Sequence, residues 1–409
     1  MKDKNNKKDK KIYRFRHKFL SLLVSPFLKI YLRFKINFKA KNIKLPKGPL
    51  LVVSNHVTTY DPFYVPMVLP KPIYAVAMDD ITSRKGSGNI VRWGFGTIPK
   101  LKGISDFQCV RTMIKYKNEG LNLMIYPEAN RTYDGLTCYI DKSTTKLIKS
   151  FKIPVVFLNI IGGYGVDPRW GKSFRKGYHT IKLRYIMPKE EVQSLSNEEL
   201  QEKIKEYLTV DNYDPKYTYK GKDKAEYLER FLYTCPDCHS VSHLHTSGDD
   251  IYCDVCGYKE RYKEDLTFDL INGKNHVLRV DDWAKIDKKY ITSINPTENL
   301  DEVIFTDEHI NIYQVYKTIP RELKIEDATL VGYKDRFALK YGNTERVISF
   351  DDIVAACPVG KCRATFYLKE NGYQIDGVQT LNAFKYVNLF YHHYNYKKGV
   401  VGMDEFLGI

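Results

Sequence analysis

The run Leu50-Leu51-Val52-Val53-Ser54-Asn55-His56-Val57-Thr58-Thr59-Tyr60-Asp61-Pro62-Phe63 changes character at its middle. Its first half is an uninterrupted apolar stretch, which suits a strand covered on both faces. Its second half is polar and closes on Asp-Pro, a good helix start with Asp at the N-cap and Pro at the first helical position. A histidine at the C-terminal mouth of such a strand stands where α/β sheets open their ligand crevices. Three further apolar runs, Ile73 to Ala77, Leu121 to Tyr126 and Ile153 to Leu158, alternate with helical patterns between Pro49 and Leu208. The expected fold class is α/β, a mostly buried mixed sheet flanked by helices and closed by an amphipathic helix over Glu198 to Leu208.

A turn between His56 and Asp61 could bring the carboxylate back onto the imidazole. That contact fixes the tautomer and raises basicity, leaving the other nitrogen to take a proton from a hydroxyl. The Leu123-Met124-Ile125-Tyr126 run also ends in a polar turn, Pro127-Glu128-Ala129-Asn130-Arg131-Thr132. Arg131 is a planar donor fork suited to a phosphate monoester, and Glu128 is placed to orient Arg131 or a nearby backbone group. Taken singly, a His and an Asp five apart, or a Glu and an Arg three apart, are common as a satisfied His with a capping Asp and as a surface ion pair.

Together these segments resemble the glycerolipid acyltransferase family that includes the 1-acylglycerol-3-phosphate (lysophosphatidate) acyltransferases. The family's Asn-His-x-x-x-x-Asp block stands here as Asn55 to Asp61, and its Phe-Pro-Glu-Gly-Thr-Arg block as Tyr126 to Arg131, with Ala129-Asn130 replacing Gly-Thr. Gly96-Thr97-Ile98-Pro99-Lys100-Leu101-Lys102 resembles the Gly-led block between them, with Lys102 where Arg is usual, and Ile153-Pro154-Val155-Val156 resembles the fourth block. The resemblance covers roughly residues 15 to 209. It implies an O-acyltransferase moving a fatty acyl group from an acyl thioester (acyl-CoA or acyl carrier protein) to the free hydroxyl of 1-acylglycerol-3-phosphate, giving phosphatidate. His56 would be the general base and Asp61 its orienting partner, with Asn55, Lys100, Lys102, Glu128 and Arg131 on the substrate side. Another lysophospholipid or glycerol phosphate remains an alternative acceptor.

Of the net charge of +16 across 409 residues, residues 1–40 hold +11, as thirteen Lys or Arg against Asp3 and Asp9. Residues 1–11 read as a disordered basic arm. Behind it, Ile12, Phe15, Phe19, Leu22 and Leu23 recur at helical spacing until Pro26, and a second apolar stretch runs from Phe27 to Phe34. Lys18 and Lys29 bracket ten uncharged residues, too few for a membrane span of roughly 20. Residues 12–40 are therefore expected as a pair of amphipathic helices lying in the interface of an anionic membrane surface. Ser25-Pro26-Phe27 is a poor signal-peptide cleavage site, so reduced thiols and a peripheral location on the cytoplasmic, inner face of the membrane are expected.

Cys235-Pro236-Asp237-Cys238 and Cys253-Asp254-Val255-Cys256, separated by fourteen residues, have two-knuckle zinc spacing. Four thiolates would close a structural Zn site, with His239, His243 and His245 as bystanders. The rival reading, a zinc-ribbon nucleic-acid-binding protein, requires a cationic stripe. The module instead mixes Asp237, Asp249, Asp250, Asp254 and Glu260 with Lys259 and Arg261, so no nucleic-acid partner is expected. Beyond it come alternating runs, Val303-Ile304-Phe305 and Ile310-Asn311-Ile312-Tyr313, turns at Gly342-Asn343 and Asn371-Gly372, and a last helical stretch from Leu381 to Tyr394. Strands followed by one helix resemble a pleckstrin-homology-like sandwich. The expected layout is thus 1–11 arm, 12–40 helix pair, 41–210 acyltransferase domain, 211–229 linker, 230–262 zinc ribbon and 263–409 β-rich domain.

Overall fold

The computed structural model describes residues 2–69, 71–101, 104–316 and 318–400. After the long helix α1 (Lys2–Ile36), the elements run β1 (Leu51–Ser54), α2 (Asp61–Val68), β2 (Ile73–Met78), α3 (Asp79–Thr82), α4 (Ser87–Phe95), β3 (Ile98–Lys100), α5 (Phe107–Asn118), β4 (Asn122–Ile125), α6 (Ser143–Phe151) and β5 (Val155–Ile161). There follow α7 (Gly163–Val166), β6 (Lys176–Gly177), β7 (Thr180–Met187), α8 (Lys189–Ser194) and α9 (Asn197–Leu208). Six strands form one mixed sheet in the order β3-β2-β4-β1-β5-β7. β1 pairs in parallel with β4 and β5, and β7 closes the edge antiparallel to β5. Helices cover both faces, so Leu51, Val52 and Val53 are fully buried, as their unbroken apolar run requires. α9 carries a capping box between Ser196 and Glu199.

α1 departs from the expected helix pair. Pro26 lies inside one helix, and that helix begins at Lys2, so the stretch read as a disordered arm is helical. Pro26 lacks an N–H donor, but Lys-rich sequence favours helix upstream. Downstream, Leu32 and Ile36 are buried against the sheet's core, at about 1.5–3 kcal/mol each. Its other face leaves Phe15, Phe19, Leu23, Phe27, Ile30 and Phe34 exposed. The side chains of Ile12 and Leu22 lie outside the described residues. No described helix is long and apolar enough to cross a membrane.

The segment expected as a linker is packed, with Tyr219, Ala225 and Leu228 buried and β8 (Tyr219–Lys220) paired with β6. Its aromatic and aliphatic residues find partners in the core of the first sheet. The cysteine module forms a four-stranded sheet, β12-β11-β10-β9, from β9 (Leu244–Ser247), β10 (Asp250–Cys253), β11 (Lys259–Tyr262) and β12 (Phe268–Asn272). It therefore extends past residue 262, and α10 (Val280–Ser293) packs Trp283 against it. One contiguous core runs from Leu32 through the first sheet and this module to Phe384.

The last sheet holds seven antiparallel strands in the order β16-β15-β14-β13-β19-β18-β17: β13 (Phe305–Val315), β14 (Glu322–Gly332), β15 (Arg336–Tyr341), β16 (Thr344–Ser349), β17 (Ile353–Val359), β18 (Arg363–Leu368) and β19 (Gly372–Asp376). The two apolar runs at 303–313 feed a single strand, whose pattern is broken by a register shift between Asp307 and Ile310 and by His309 at φ 60°. The hairpin turn at Gly342-Asn343 forms as expected; the second turn falls two residues earlier than Asn371-Gly372, at Lys369-Glu370, with Gly372 already in β19, and α11 (Ala383–Lys397) caps the sheet.

Candidate active site

Where β1 ends, the chain is clamped before it turns. The Asn55 amide donates to Ile160 O at 2.9 Å and accepts the Ile160 N–H at 2.7 Å. Asn55 was expected on the substrate side; its amide instead ties the first turn to β5. His56 follows, its backbone N–H donating to Glu128 Oε1 at 2.9 Å and its Nδ1–H donating to Asp61 Oδ2 at 2.8 Å. Asp61 is not the N-cap, because its carboxylate folds back over the turn: it accepts the N–H groups of Val57 at 2.7 Å and Thr58 at 2.9 Å and the Thr58 hydroxyl at 2.5 Å. α2 begins at Asp61 with Tyr60 at the cap position and Pro62 in the first turn.

Because the Asp61 carboxylate only accepts, the His56 proton sits on Nδ1, and Nε2 makes no hydrogen bond among the described residues. Burial pushes the His56 pKa below its ordinary value, against the pull of Asp61 and helped by the Arg131 and Arg169 charges. The imidazole is thus neutral at neutral pH, the form a general base needs. The Tyr126 ring stacks on it, with centroids 4.4 Å apart.

The second block lies alongside. Glu128 does not reach Arg131; Oε1 holds His56 and Oε2 accepts the Cys138 N–H at 2.7 Å. Burial pushes its pKa up from 4.5 to about 8, against the pull of the two backbone N–H groups it accepts. Ala129 sits at φ 54°, where an L side chain is strained. That is the position of the glycine in the family's block. The Arg131 side chain is largely buried; Nη1 stands 3.5 Å from Asp167 Oδ2 and has no hydrogen-bond partner. Asp167 Oδ2 also accepts the Thr59 N–H at 3.0 Å, linking the two blocks.

Lys100 is not brought to this opening: Nζ donates to Leu101 O at 3.0 Å and Ile104 O at 3.1 Å, within its own loop. Lys102 lies outside the described residues. Conversely, Asp167 and Arg169, which follow α7, reach the site without any sequence signal beyond an ordinary Asp-Pro turn.

The metal-like set comes together as spaced. Cys235, Cys238, Cys253 and Cys256 have sulfurs within 4.8 Å of one another, with 3.6 Å between Cys235 and Cys256 and 3.8 Å between Cys238 and Cys253. Tetrahedral thiolates about 2.3 Å from one zinc ion would stand roughly 3.8 Å apart, so the donors fit. His243 and His245 instead face Asp254, at 2.9 and 3.0 Å.

Residues 35–160 match the family described as Acyltransferase. No curated protein matches the chain. Among solved structures, the 1-acyl-sn-glycerophosphate (LPA) acyltransferase PlsC from Thermotoga maritima is similar at 18% identity and a TM-score of 0.40, over 47% of this chain and 78% of that one.

Proposed function

We propose that this chain, whose residues 35–160 match the acyltransferase family, transfers a fatty acyl group from acyl-CoA or acyl carrier protein to the free hydroxyl of 1-acylglycerol-3-phosphate. The observation that carries this reading is the neutral His56, oriented by Asp61 with Nε2 open, in the same site as Arg131, whose Nη1 faces Asp167 but makes no hydrogen bond. The acceptor oxygen attacks the thioester carbonyl while its proton passes to Nε2. The C–S bond then breaks, the thiolate takes that proton back, and phosphatidate and free thiol leave. Arg131 binds the acceptor phosphate, whose position fixes the hydroxyl near Nε2.

A small apolar cavity lined by Thr59, Phe63, Pro66, Tyr74 and Phe95 lies beside α2, on the segment that follows His56. The exposed apolar face of α1, with the basic residues around it, suits peripheral attachment to an anionic membrane, where both lipids partition. Four thiolates on zinc would staple the ribbon without an open position for chemistry.

The test is an acceptor panel with radiolabelled acyl-CoA and acyl carrier protein on the purified chain. Lysophosphatidate should be labelled fastest, ahead of other lysophospholipids and glycerol phosphate. Label on none of these acceptors with either donor would end the acyltransferase reading.

A further inference from the structure

The seven-stranded sheet meets the candidate active site through one turn. β17 and β18 are joined by Gly360-Lys361-Cys362, with Gly360 at φ 61°, and Arg169 bridges this turn to the second block. Its Nε donates to Gly360 O and its Nη2 to Pro358 O, both at 2.9 Å, while Nη1 donates to Arg131 O and Asn130 Oδ1, both at 3.1 Å. The turn is thereby locked onto Arg131, and the next side chain, Lys361, donates to Gly171 O. Arg363, at the start of β18, pairs with Asp80 at 2.9 Å and fixes the hairpin a second time.

The charges brought together do not balance. Arg131, Arg169 and Lys361 bring positive charge, and Lys361, whose pKa burial lowers, lies close enough to feel both Asp167 and Arg131. Arg169 is buried with four neutral acceptors and no carboxylate, and the Lys361 hydrogen bond also goes to a neutral carbonyl. Asp167 is the one described carboxylate paired with any of the three, while the Asp61 carboxylate is taken up by His56 and the Thr58 hydroxyl, so three cations face two carboxylates. Uncompensated buried charge is costly unless an anion enters. A phosphate monoester dianion carries the missing charge. Arg131 Nη1 has no hydrogen-bond partner, and a lysine ammonium with one proton engaged keeps two donors.

We propose that Lys361 binds the acceptor's phosphate monoester together with Arg131, so that the C-terminal sheet supplies part of the acceptor site. This rests on the acyltransferase reading for its substrate but on the cation cluster for its anion. It gives the β17–β18 turn a role that packing alone does not require.

The experiment compares the full wild-type chain with Lys361→Gln, which keeps an N–H donor but no charge, and Lys361→Arg. Steady-state rates are measured with lysophosphatidate and the thioester varied in turn, and with uncharged monoacylglycerol as a second acceptor. Lys361→Gln should raise the lysophosphatidate KM at least about tenfold, the scale of one charge-assisted hydrogen bond. The thioester KM and the rate on monoacylglycerol should hold, and Lys361→Arg should recover most of the loss. An unchanged lysophosphatidate KM, an equal loss on both acceptors, or a rise confined to the thioester would overturn the proposal; the last assigns the charge to the carrier's phosphates.

Two measurements do not depend on turnover. Millimolar inorganic phosphate should raise the Tm of the wild type, against a chloride control, and raise that of Lys361→Gln much less; equal shifts overturn the proposal even if no acceptor is acylated. Should Lys361→Gln fail to fold, wild-type Lys361 can be followed by mass spectrometry during acetylation with acetic anhydride. Inorganic phosphate should slow its modification relative to exposed lysines, and an unaltered rate overturns the proposal.

Discussion

Glu128 Oε1 accepts the backbone N–H of His56 at 2.9 Å, so an acid of the second block holds the main chain of the first. Its raised pKa, about 8 against 4.5, means that the folded chain binds a proton there that the unfolded chain has released. Between those values stability contributed at this group falls as pH rises, by up to about 1.4 kcal/mol per pH unit. Glu128→Gln cannot titrate. Its amide loses one of the two backbone N–H contacts, a constant cost of about 1–3 kcal/mol. The stability difference between variant and wild type should therefore shift steadily in favour of the variant from pH 4.5 to 8, read by denaturant melts at each pH. Parallel pH curves would show that Glu128 is ionised in the folded chain.

His56→Ala should lower kcat by about 10²–10⁴-fold with an unchanged melting temperature, the usual share of a positioned base. In the wild type the acid limb of kcat/KM should fall below the ordinary histidine value of 6.5, because burial lowers the imidazole pKa. Asp61→Asn should be severe but less complete. Near wild-type turnover in His56→Ala, with the same pH profile, removes His56 from the chemistry.

Ala129 occupies the left-handed region at φ 54°. Ala129→Gly relieves a strain of about 1–2 kcal/mol and gives back part of it as unfolded-chain entropy, so a net gain of about 0.5–1 kcal/mol is expected. Equilibrium denaturation measures this. A loss of stability would mean that the alanine methyl makes a contact worth more than the strain.

Purified without chelators, the chain should carry one zinc per molecule on Cys235, Cys238, Cys253 and Cys256. Metal analysis showing less than about half an equivalent would count against a resident structural ion. Stripping the metal should lower the Tm reversibly, and added zinc should restore it.

Phe27 and Phe34 are 71% and 74% exposed, whereas Leu32 and Ile36 on the same helix are buried. Deleting the whole helix would therefore damage the core as well as the surface. The cleaner variant is Phe27→Ser with Phe34→Ser, which should weaken cosedimentation with anionic vesicles at unchanged Tm. Each basic residue near such a surface adds about 1 kcal/mol, so the residual binding should be more salt-sensitive than that of the wild type. Binding that ignores the double substitution would assign α1 to packing alone.

The dyad was legible because His56 and Asp61 belong to one turn, where spacing in sequence is spacing in space. The same holds for the cysteines, whose two knuckles each span four residues. Asn55 and Glu128 were legible as members of their blocks but not in direction, since the sequence does not say that Ile160 and the backbone of His56 and Cys138 would take up their polar atoms. Asp167, Arg169 and Lys361 arrive from two further segments by tertiary packing, and no local pattern marks them. Pro26 and the 211–229 stretch were misread for a related reason: burial of Leu32 and Ile36, and of Tyr219 and Leu228, outweighed local preference.

That unbroken core from Leu32 to Phe384 joins the first sheet and the cysteine module, so the two are expected to unfold together. Were the four thiolates to hold a metal that only the folded chain binds, the free energy gained at the ribbon would be shared by the strand that carries His56. Metal supply would set how much of the chain is folded, and so how much of it can act, although the four thiolates never touch a substrate.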